Sequence, residues 1–268
     1  MDITGLVIAQ PLDAVKVSYS AKDYSIIGYA GFTGFLNSHT VSINAAPNEN
    51  SASEIYALAA PFVVVNTMFA APQLFAGQDL FAEVVATIDV AENADNRVYT
   101  NLALSGALMD SYYYTFASSI AATQNADSKW GVSNMSSFEI TTFFPYGYSM
   151  LSLKTVFATS DDNGGFKSFS TTSASLNGSV PYAGHLKTGL VATMRPLDNV
   201  LFLFAPDCLF NVMSSDSDKG FAGFQWVFNA KYTATSDLAI NASVGQFISP
   251  VAGEKPYLDA SIGLSFLF

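Results

Sequence analysis

The sequence has very few of the residues from which redox and metal sites are built. Cys208 is the single cysteine among 268 residues, and His39 and His185 are the only histidines. One cysteine excludes an internal disulfide framework and cannot by itself form a thiolate cluster. Neither histidine has a neighbour at a metal-ligand spacing such as HxxxH. We therefore interpret Cys208 as a small apolar strand residue and both histidines as polar rim or lumen residues, and we expect no cofactor.

Charged residues are also scarce, at 12% of the chain, and they are unequal in sign. Eleven basic residues stand against 22 acidic ones, which gives a net charge of −11. Nucleic-acid binding needs clustered lysine and arginine, so this balance argues against a nucleic-acid partner. Long-range attraction favours cations over anions instead.

Long hydrophobic runs are missing although half of the residues are hydrophobic. No stretch approaches the roughly 18 apolar residues that a membrane-spanning helix requires. The most apolar segment, 200–206, has the length of a strand and ends at Pro206. Two kinds of fold remain: a soluble protein with a large β core, or a membrane barrel in which hydrogen bonds between strands pair all backbone groups.

Alternation of apolar and polar residues is the dominant pattern, and it predicts an all-β fold. Between 224 and 232, Phe224, Trp226, Phe228, Ala230 and Tyr232 share one face of a strand, because successive side chains point to opposite faces. No amphipathic helix of ten or more residues is predicted. The other candidate strands are 15–21, 24–36, 40–46, 54–69, 81–90, 97–105, 138–144, 148–158, 185–194, 200–209, 238–245 and 257–268.

Short turns and longer polar loops separate these strands. The turns include 11–13, 109–111, 145–147, 196–199 and 235–237, whereas the predicted loops are 47–53, 91–96, 124–135, 160–165 and 214–220. Short turns at one rim and longer loops at the other are typical of outer-membrane barrels. At about ten residues per spanning strand plus connections, the length allows roughly 10 to 16 strands, and we expect about 14. An even number requires a strand within 166–184, or two candidates that merge.

The last twelve residues, 257–268, form an alternating strand that ends in an aromatic side chain. Leu258, Ala260, Ile262, Leu264 and Phe266 fall on one face together with Phe268. This segment resembles the C-terminal strand of bacterial outer-membrane β-barrel proteins. In that superfamily, a terminal phenylalanine preceded by alternating apolar residues is the assembly signal. The resemblance implies that Tyr257, Leu264, Phe266 and Phe268 are read by the barrel assembly machinery.

The resemblance also implies a single antiparallel up-and-down transmembrane β-barrel over residues 1–268, in the bacterial outer membrane. Outer-membrane lipid and the assembly machinery would be its partners, and a homo-oligomer such as a trimer would bury one barrel wall between copies. No basic segment followed by an apolar core opens the chain. An outer-membrane location therefore implies that an export leader has been removed.

Ionisable residues predicted on the polar face of the strands are the candidates for lining a pore. A lysine or arginine that faces lipid near the midplane costs about 2–4 kcal/mol, so these side chains are expected to face a polar interior. Opposed charges there would create a transverse field that orients polar solutes. The candidates are Glu83, Asp89, Arg97, Glu139, Lys154, Lys187, Lys231 and Asp259.

No pattern in the sequence indicates catalysis. The Gly-x-Ser-x-Gly motif is absent and no cue pairs a serine with a base, so we expect no enzyme. Two acidic clusters carry the oxygen ligands that a hard cation prefers, but they lack the distant bidentate glutamate of a calcium loop. We interpret them as solvated carboxylates, with a cation site as the alternative. These residues are Asp161 and Asp162 in one cluster, and Asp216 and Asp218 in the other.

The function expected from these patterns is a porin-like channel that passes small hydrophilic solutes with a modest preference for cations. The first alternative is a structural or surface-interaction barrel, adhesin-like or lattice-forming, whose lumen is closed by its own salt bridges and infolded loops. The second is a secreted, soluble β-sandwich subunit that hides its apolar faces between sheets or between copies.

Overall fold

The protein is all-β. A computed structural model describes residues 4, 6–8, 13–36, 43, 58–75, 77–91, 95–124, 127–160, 165–170, 184–213, 220–250 and 255–266. Within these ranges, thirteen antiparallel strands form one up-and-down sheet whose spatial order follows the chain. The strands are β1 (Ala14–Ser20), β2 (Ser25–Phe32), β3 (Phe62–Phe75), β4 (Gln78–Asp89), β5 (Arg97–Met109), β6 (Tyr112–Gln124), β7 (Trp130–Phe144), β8 (Ser149–Ala158), β9 (His185–Leu197), β10 (Val200–Asn211), β11 (Gly220–Thr235), β12 (Leu238–Ile248) and β13 (Tyr257–Phe266).

The prediction of an all-β, antiparallel, up-and-down fold is confirmed, and this arrangement is consistent with a β-barrel of about 14 strands. Strand β6 was not predicted from the sequence. Residues 124–135 were predicted as a loop, whereas β7 already begins at Trp130. The described residues within 166–184, namely 166–170 and 184, contain no strand. The candidate strand 40–46 falls outside the described residues except for Ile43.

Local chemistry explains where the strands begin and turn. β3 begins at Phe62, directly after Pro61, whose missing N–H cannot join a ladder. Two-residue connections join β5 to β6, β9 to β10 and β11 to β12, which keeps sequence neighbours paired. A short 3-10 turn at Tyr146–Tyr148 joins β7 to β8. Within the described ranges, no helix has the length and apolar character needed to cross a membrane.

The chain divides into two compact units. Unit 1 comprises Met1–Gly106, Phe116–Ser136 and Ala158–Thr172, and unit 2 comprises Ala107–Thr115, Ser137–Phe157 and Ser173–Phe268.

Strands β1 to β5 of unit 1 share one exposed apolar face, and strands β3 to β5 also have a covered face. Register places Val17, Gly28, Thr67 and Val84 on the exposed face, where Val17 is 71% exposed. The covered face holds buried polar and apolar side chains together. They are Val64, Asn66, Glu83, Val85, Thr87, Arg97, Tyr99 and Asn101.

Unit 2 has an apolar face and a polar face on strands β8 to β13. The register is continuous from Lys154 to Asp259, so alternate residues keep the same face through all six strands. The apolar face includes the exposed side chains Leu151, Leu153, Leu190, Met194, Phe204, Phe228, Ile240, Leu258, Ile262, Leu264 and Phe266. The polar face includes Ser152, Lys154, Lys187, Asp207, Gln225, Asn229, Lys231, Asn241, Ser243, Asp259, Ser261 and Ser265.

Candidate functional site

The polar face of unit 2 carries one row of partnered residues that crosses four strands. Lys154 of β8 is the partner of Gly189 of β9. Gly189 is in turn the partner of Asp207 in β10, and Asp207 is the partner of Gln225 in β11. Partnered residues in antiparallel strands project to the same side. The row therefore brings an ammonium group and a carboxylate to one face, two strands apart.

Asp207 is the centre of a small polar cluster. The Lys187 ammonium lies 3.1 Å from Asp207 Oδ2, and Gln225 Nε2 donates to the same oxygen at 3.1 Å. Gln225 is buried, with 2% of its surface exposed. Charge-assisted hydrogen bonds from two donors hold this carboxylate in one orientation.

Asp207 was not among the residues predicted from the sequence. Its strand hardly alternates, because Leu201, Leu203 and Leu209 share the polar face with it. One signal could have identified it: Asp207 is the only charged residue of β10. A lone charge within a predicted membrane strand is expected to face the polar side.

Gly189 leaves the space that the Asp207 side chain needs. A Cβ at residue 189 would lie 2.1 Å from Asp207 Oδ1 and 2.4 Å from the Pro206 carbonyl oxygen. Both distances are far shorter than van der Waals contact. The Asp207 side chain thus extends over Gly189, in the direction of β8 and Lys154.

Glu139 and Lys154 lie side by side on this face. Thr141 Oγ1 and Ser152 Oγ are 2.8 Å apart and link β7 to β8, and Thr141 also donates to Glu139 Oε1 at 3.3 Å. In antiparallel strands, the residue two places before Thr141 and the residue two places after Ser152 lie in the same direction from that pair. Glu139 of β7 therefore lies next to Lys154 of β8.

Lys231 and Asp259 share the polar face with this cluster but lie apart from it and from each other. Lys231 is the partner of Leu201 and Asn241, whereas Asp259 is the partner of Gly245. Lys231 lines an open hollow of about 400 Å³. The polar side chains of this hollow, besides Lys231, are Asn229, Asn241, Ser243 and Ser261.

On the covered face of unit 1, Glu83 accepts hydrogen bonds from two amides. Asn66 Nδ2 donates to Glu83 Oε1, and Asn101 Nδ2 donates to Glu83 Oε2 at 2.8 Å. The three side chains come from β3, β4 and β5 and are each at most 3% exposed. A buried carboxylate needs such donors to offset its desolvation. Glu83 is therefore a structural group in the covered face and is not in contact with solvent.

Arg97, the next candidate, is fully buried in an ion pair. Its Nε donates to Asp95 Oδ1 at 2.7 Å, its Nη2 contacts Asp95 Oδ2 at 2.5 Å, and its Nη1 donates to the Ser168 carbonyl oxygen at 3.0 Å. The Lys167 ammonium lies 3.7 Å from Asp95 Oδ2. This bidentate geometry fixes the guanidinium and ties it to the segment 165–170.

The electrostatics of Asp95 follow from these contacts. Burial alone raises the pKa of Asp95, but hydrogen bonds and charge from Arg97, with a smaller part from Lys167, bring that pKa below its ordinary value. Burial also lowers the pKa of Lys167, and the nearby positive charge of Arg97 lowers it further, although Asp95 opposes the change. Asp95 is thus held as an anion by its surroundings.

Segment 165–170 lies over the covered face of unit 1. Phe169 packs edge-on against Phe62 at 5.3 Å between ring centroids, and Phe166 packs against Tyr99 at 6.3 Å. The Tyr99 hydroxyl donates to the Lys167 carbonyl oxygen at 2.8 Å. Ser170 N donates to the Val7 carbonyl oxygen at 2.9 Å, which joins this segment to residues 6–8.

Asp89, also predicted to line a pore, lies at the end of β4 opposite Phe62. One of its carboxylate oxygens accepts a hydrogen bond from Ala91 N at 2.8 Å. It therefore closes a turn at the strand end. Glu83, Asp89 and Arg97 share one face of unit 1, as the alternation predicted, but Glu83 and Arg97 are covered by protein.

The terminal residues divide between the two faces of β13. Leu264 and Phe266 lie on the apolar face, and Tyr257 is the partner of Phe247 on the polar face. Phe268 falls outside the described residues, as do Asp161, Asp162, Asp216 and Asp218. Among the described residues, no group of three or more histidine, cysteine, aspartate or glutamate side chains could hold a metal ion.

Comparison with known proteins does not assign the chain to a family. No protein-family model matches the sequence, and no curated protein matches it.

Proposed function

We propose that the protein is an outer-membrane β-barrel that acts as a porin-like channel for passive diffusion of small hydrophilic solutes. The observation that carries this proposal is the division of unit 2 into an exposed apolar face and a polar face on which Lys154, Lys231 and Asp259 are exposed. Six neighbouring strands maintain that division without a change of face.

The apolar face is too extensive for a surface in water. Ile262 is 83% exposed, Leu258 63% and Leu264 61%, and exposed aliphatic and aromatic groups continue across the neighbouring strands. Soluble monomers rarely expose contiguous apolar patches larger than a few hundred Å². Hydrocarbon tails are the natural covering for such a face.

The polar face of unit 2 retains charges that the described residues do not neutralise. Lys154, Lys231 and Asp259 are exposed, and none of them forms an ion pair within the described ranges. Charged side chains are stable in contact with water, and their contact with lipid costs free energy. A water-filled passage along this face keeps them in water and away from lipid.

A barrel with a closed lumen is the second candidate, and one observation favours it. Segment 165–170 packs onto the covered face of unit 1 and leaves Arg97 without solvent contact. A structural or surface-interaction barrel needs this kind of closure. The soluble sandwich gains less support, because it needs two stacked sheets whereas the described strands form one.

The proposal includes the bacterial outer membrane as location, with outer-membrane lipid and the barrel assembly machinery as partners. Small polar solutes or cations would be the cargo, and a homo-oligomer such as a trimer would be compatible with the exposed apolar wall. No catalytic step is required.

Planar-bilayer recording of the purified, folded protein tests the channel directly. We expect discrete conductance steps in potassium chloride for the wild type. A folded barrel that carries no current under any condition would reject the open channel. If only the double variant Phe166→Ala/Phe169→Ala conducts, the closed-lumen candidate is correct and segment 165–170 is the closure.

A further inference from the structure

Four charged side chains of unit 2 form one group on the polar face. Lys187 and Asp207 are in contact at 3.1 Å, and Lys154 lies across Gly189 from Asp207. Glu139 lies beside Lys154, as the contact between Thr141 and Ser152 requires. We call Glu139, Lys154, Lys187 and Asp207 the charge row.

Both signs of charge lie close together in the charge row, where the order from β7 to β10 is Glu139, Lys154, Lys187 and Asp207. Neighbouring strands are about 4.8 Å apart, so Glu139 and Lys154 are one strand spacing apart and Lys154 and Asp207 are about 10 Å apart at their Cα atoms. Lysine side chains span most of that distance. A solute on this face therefore meets a carboxylate and an ammonium group within the length of one small molecule.

The two halves of the charge row differ in how firmly they are held. Lys187, Asp207 and buried Gln225 are fixed by mutual contacts. Lys154 is exposed, and neither it nor Glu139 forms an ion pair within the described ranges. These two groups are available to a solute.

We propose that the charge row recognises zwitterionic small solutes, of which α-amino acids are the simplest. This inference rests on the channel function proposed above and names its substrate class. The solute carboxylate meets Lys154 and the solute ammonium group meets Glu139, and each new contact replaces exposure to water.

An ion that carries only one sign of charge is attracted less strongly to the charge row than a zwitterion is. The four formal charges of the row sum to zero, so the attraction of an ion to two of the groups is offset by its repulsion from the other two. The whole chain carries a net charge of −11 and by itself favours cations. Close to the row, the local balance outweighs this distant charge because salt screens interactions beyond about 10 Å.

Swelling of proteoliposomes that contain the wild-type protein tests the proposal with two isomers. Alanine is a zwitterion, whereas lactamide has the same atoms and no formal charge. After subtraction of protein-free liposomes, we expect alanine to enter about two- to fivefold faster, in keeping with the modest strength of exposed ion pairs.

The double variant Glu139→Gln/Lys154→Gln removes both free charges and leaves the net charge unchanged. We expect it to lose the preference for alanine over lactamide. The matched control is Lys22→Gln/Asp23→Asn, which makes the same charge change in the exposed turn between β1 and β2. This control is expected to keep the preference.

The outcomes separate the two proposals. If both isomers enter the wild-type liposomes at equal rates, the charge row does not select zwitterions although the channel function stands. If the glutamine variant retains the preference, the row is likewise rejected. If neither isomer enters, the channel itself fails and the inference fails with it.

Discussion

Both carboxylate oxygens of Asp95 engage the guanidinium of Arg97, at 2.7 Å and 2.5 Å, and Arg97 has no exposed surface. The same guanidinium donates to the carbonyl oxygen of Ser168. This pair therefore connects the start of β5 with segment 165–170 and secures the cover on unit 1.

Asp95→Asn should destabilise the protein strongly, because it leaves a buried cation without its counter-charge. We expect a loss of about 3 kcal/mol in the free energy of unfolding. Urea unfolding in detergent micelles, followed by tryptophan fluorescence, measures this loss. Asp23→Asn in the exposed turn is the control and should change stability by less than about 0.5 kcal/mol. Equal effects of the two substitutions would show that the Asp95–Arg97 pair does not hold the cover.

The same carboxylate gives the stability a defined dependence on pH. Because the pKa of Asp95 is lower in the folded protein than in the unfolded chain, its stabilising contribution is complete above the ordinary aspartate pKa of about 3.9. That contribution is lost as the pH falls through the lower folded pKa. The stability difference between wild type and Asp95→Asn should thus be constant near neutral pH and shrink below about pH 4. A difference that is unchanged in acid would contradict the assignment.

Gly189→Ala should perturb the polar face, since the added Cβ would meet the Asp207 carboxylate at 2.1 Å and the Pro206 carbonyl oxygen at 2.4 Å. A backbone atom cannot move aside as a flexible side chain can, so we expect destabilisation of about 1–3 kcal/mol. Gly263→Ala is the matched control, because nothing lies within 4 Å of its added Cβ. Heat-dependent mobility in SDS electrophoresis compares the two variants. Equal melting temperatures would refute the close approach of Asp207 to Gly189.

Adjacent lysine substitutions in β1 distinguish the two faces of unit 1. Val17 lies on the exposed apolar face and Ser18 on the opposite face. Val17→Lys should cost about 2–4 kcal/mol if that face contacts lipid near the midplane, whereas Ser18→Lys should be tolerated. Folding yield into lipid vesicles provides the measurement. A greater penalty at Ser18 would reverse the assignment of faces.

Sequence patterns were sufficient for the fold class and for the faces of well-alternating strands. In β11 and β12, the large apolar residues Phe224, Phe228, Ile240 and Val244 fall on one face, and the register places them as predicted. β6 was missed because Ala117, Ser119 and Ala121 occupy its buried face while Ser118 and Ala122 flank Ile120 on the other, so the alternation is weak over this part of the strand. Small residues on both sides remove the period on which the prediction depends.

The closure of unit 1 could not be predicted, because its contacts join residues far apart in the chain. Arg97 reaches Ser168, and Tyr99 reaches Lys167, across about 70 positions, and 165–170 shows no regular period. The alternation correctly placed Arg97 on the polar side. It carried no information about which segment covers that side.

The most direct test of the account compares nitroxide labels at Ser261 and Ile262, neighbours on opposite faces of β13, after Cys208 is replaced by alanine. In lipid bilayers, power-saturation EPR measures contact with oxygen, which concentrates in hydrocarbon, and with a water-soluble nickel chelate. The account predicts that the label at residue 262 contacts oxygen and the label at residue 261 contacts the chelate. Preferential contact of both labels with the chelate, or the reverse pattern, would contradict it.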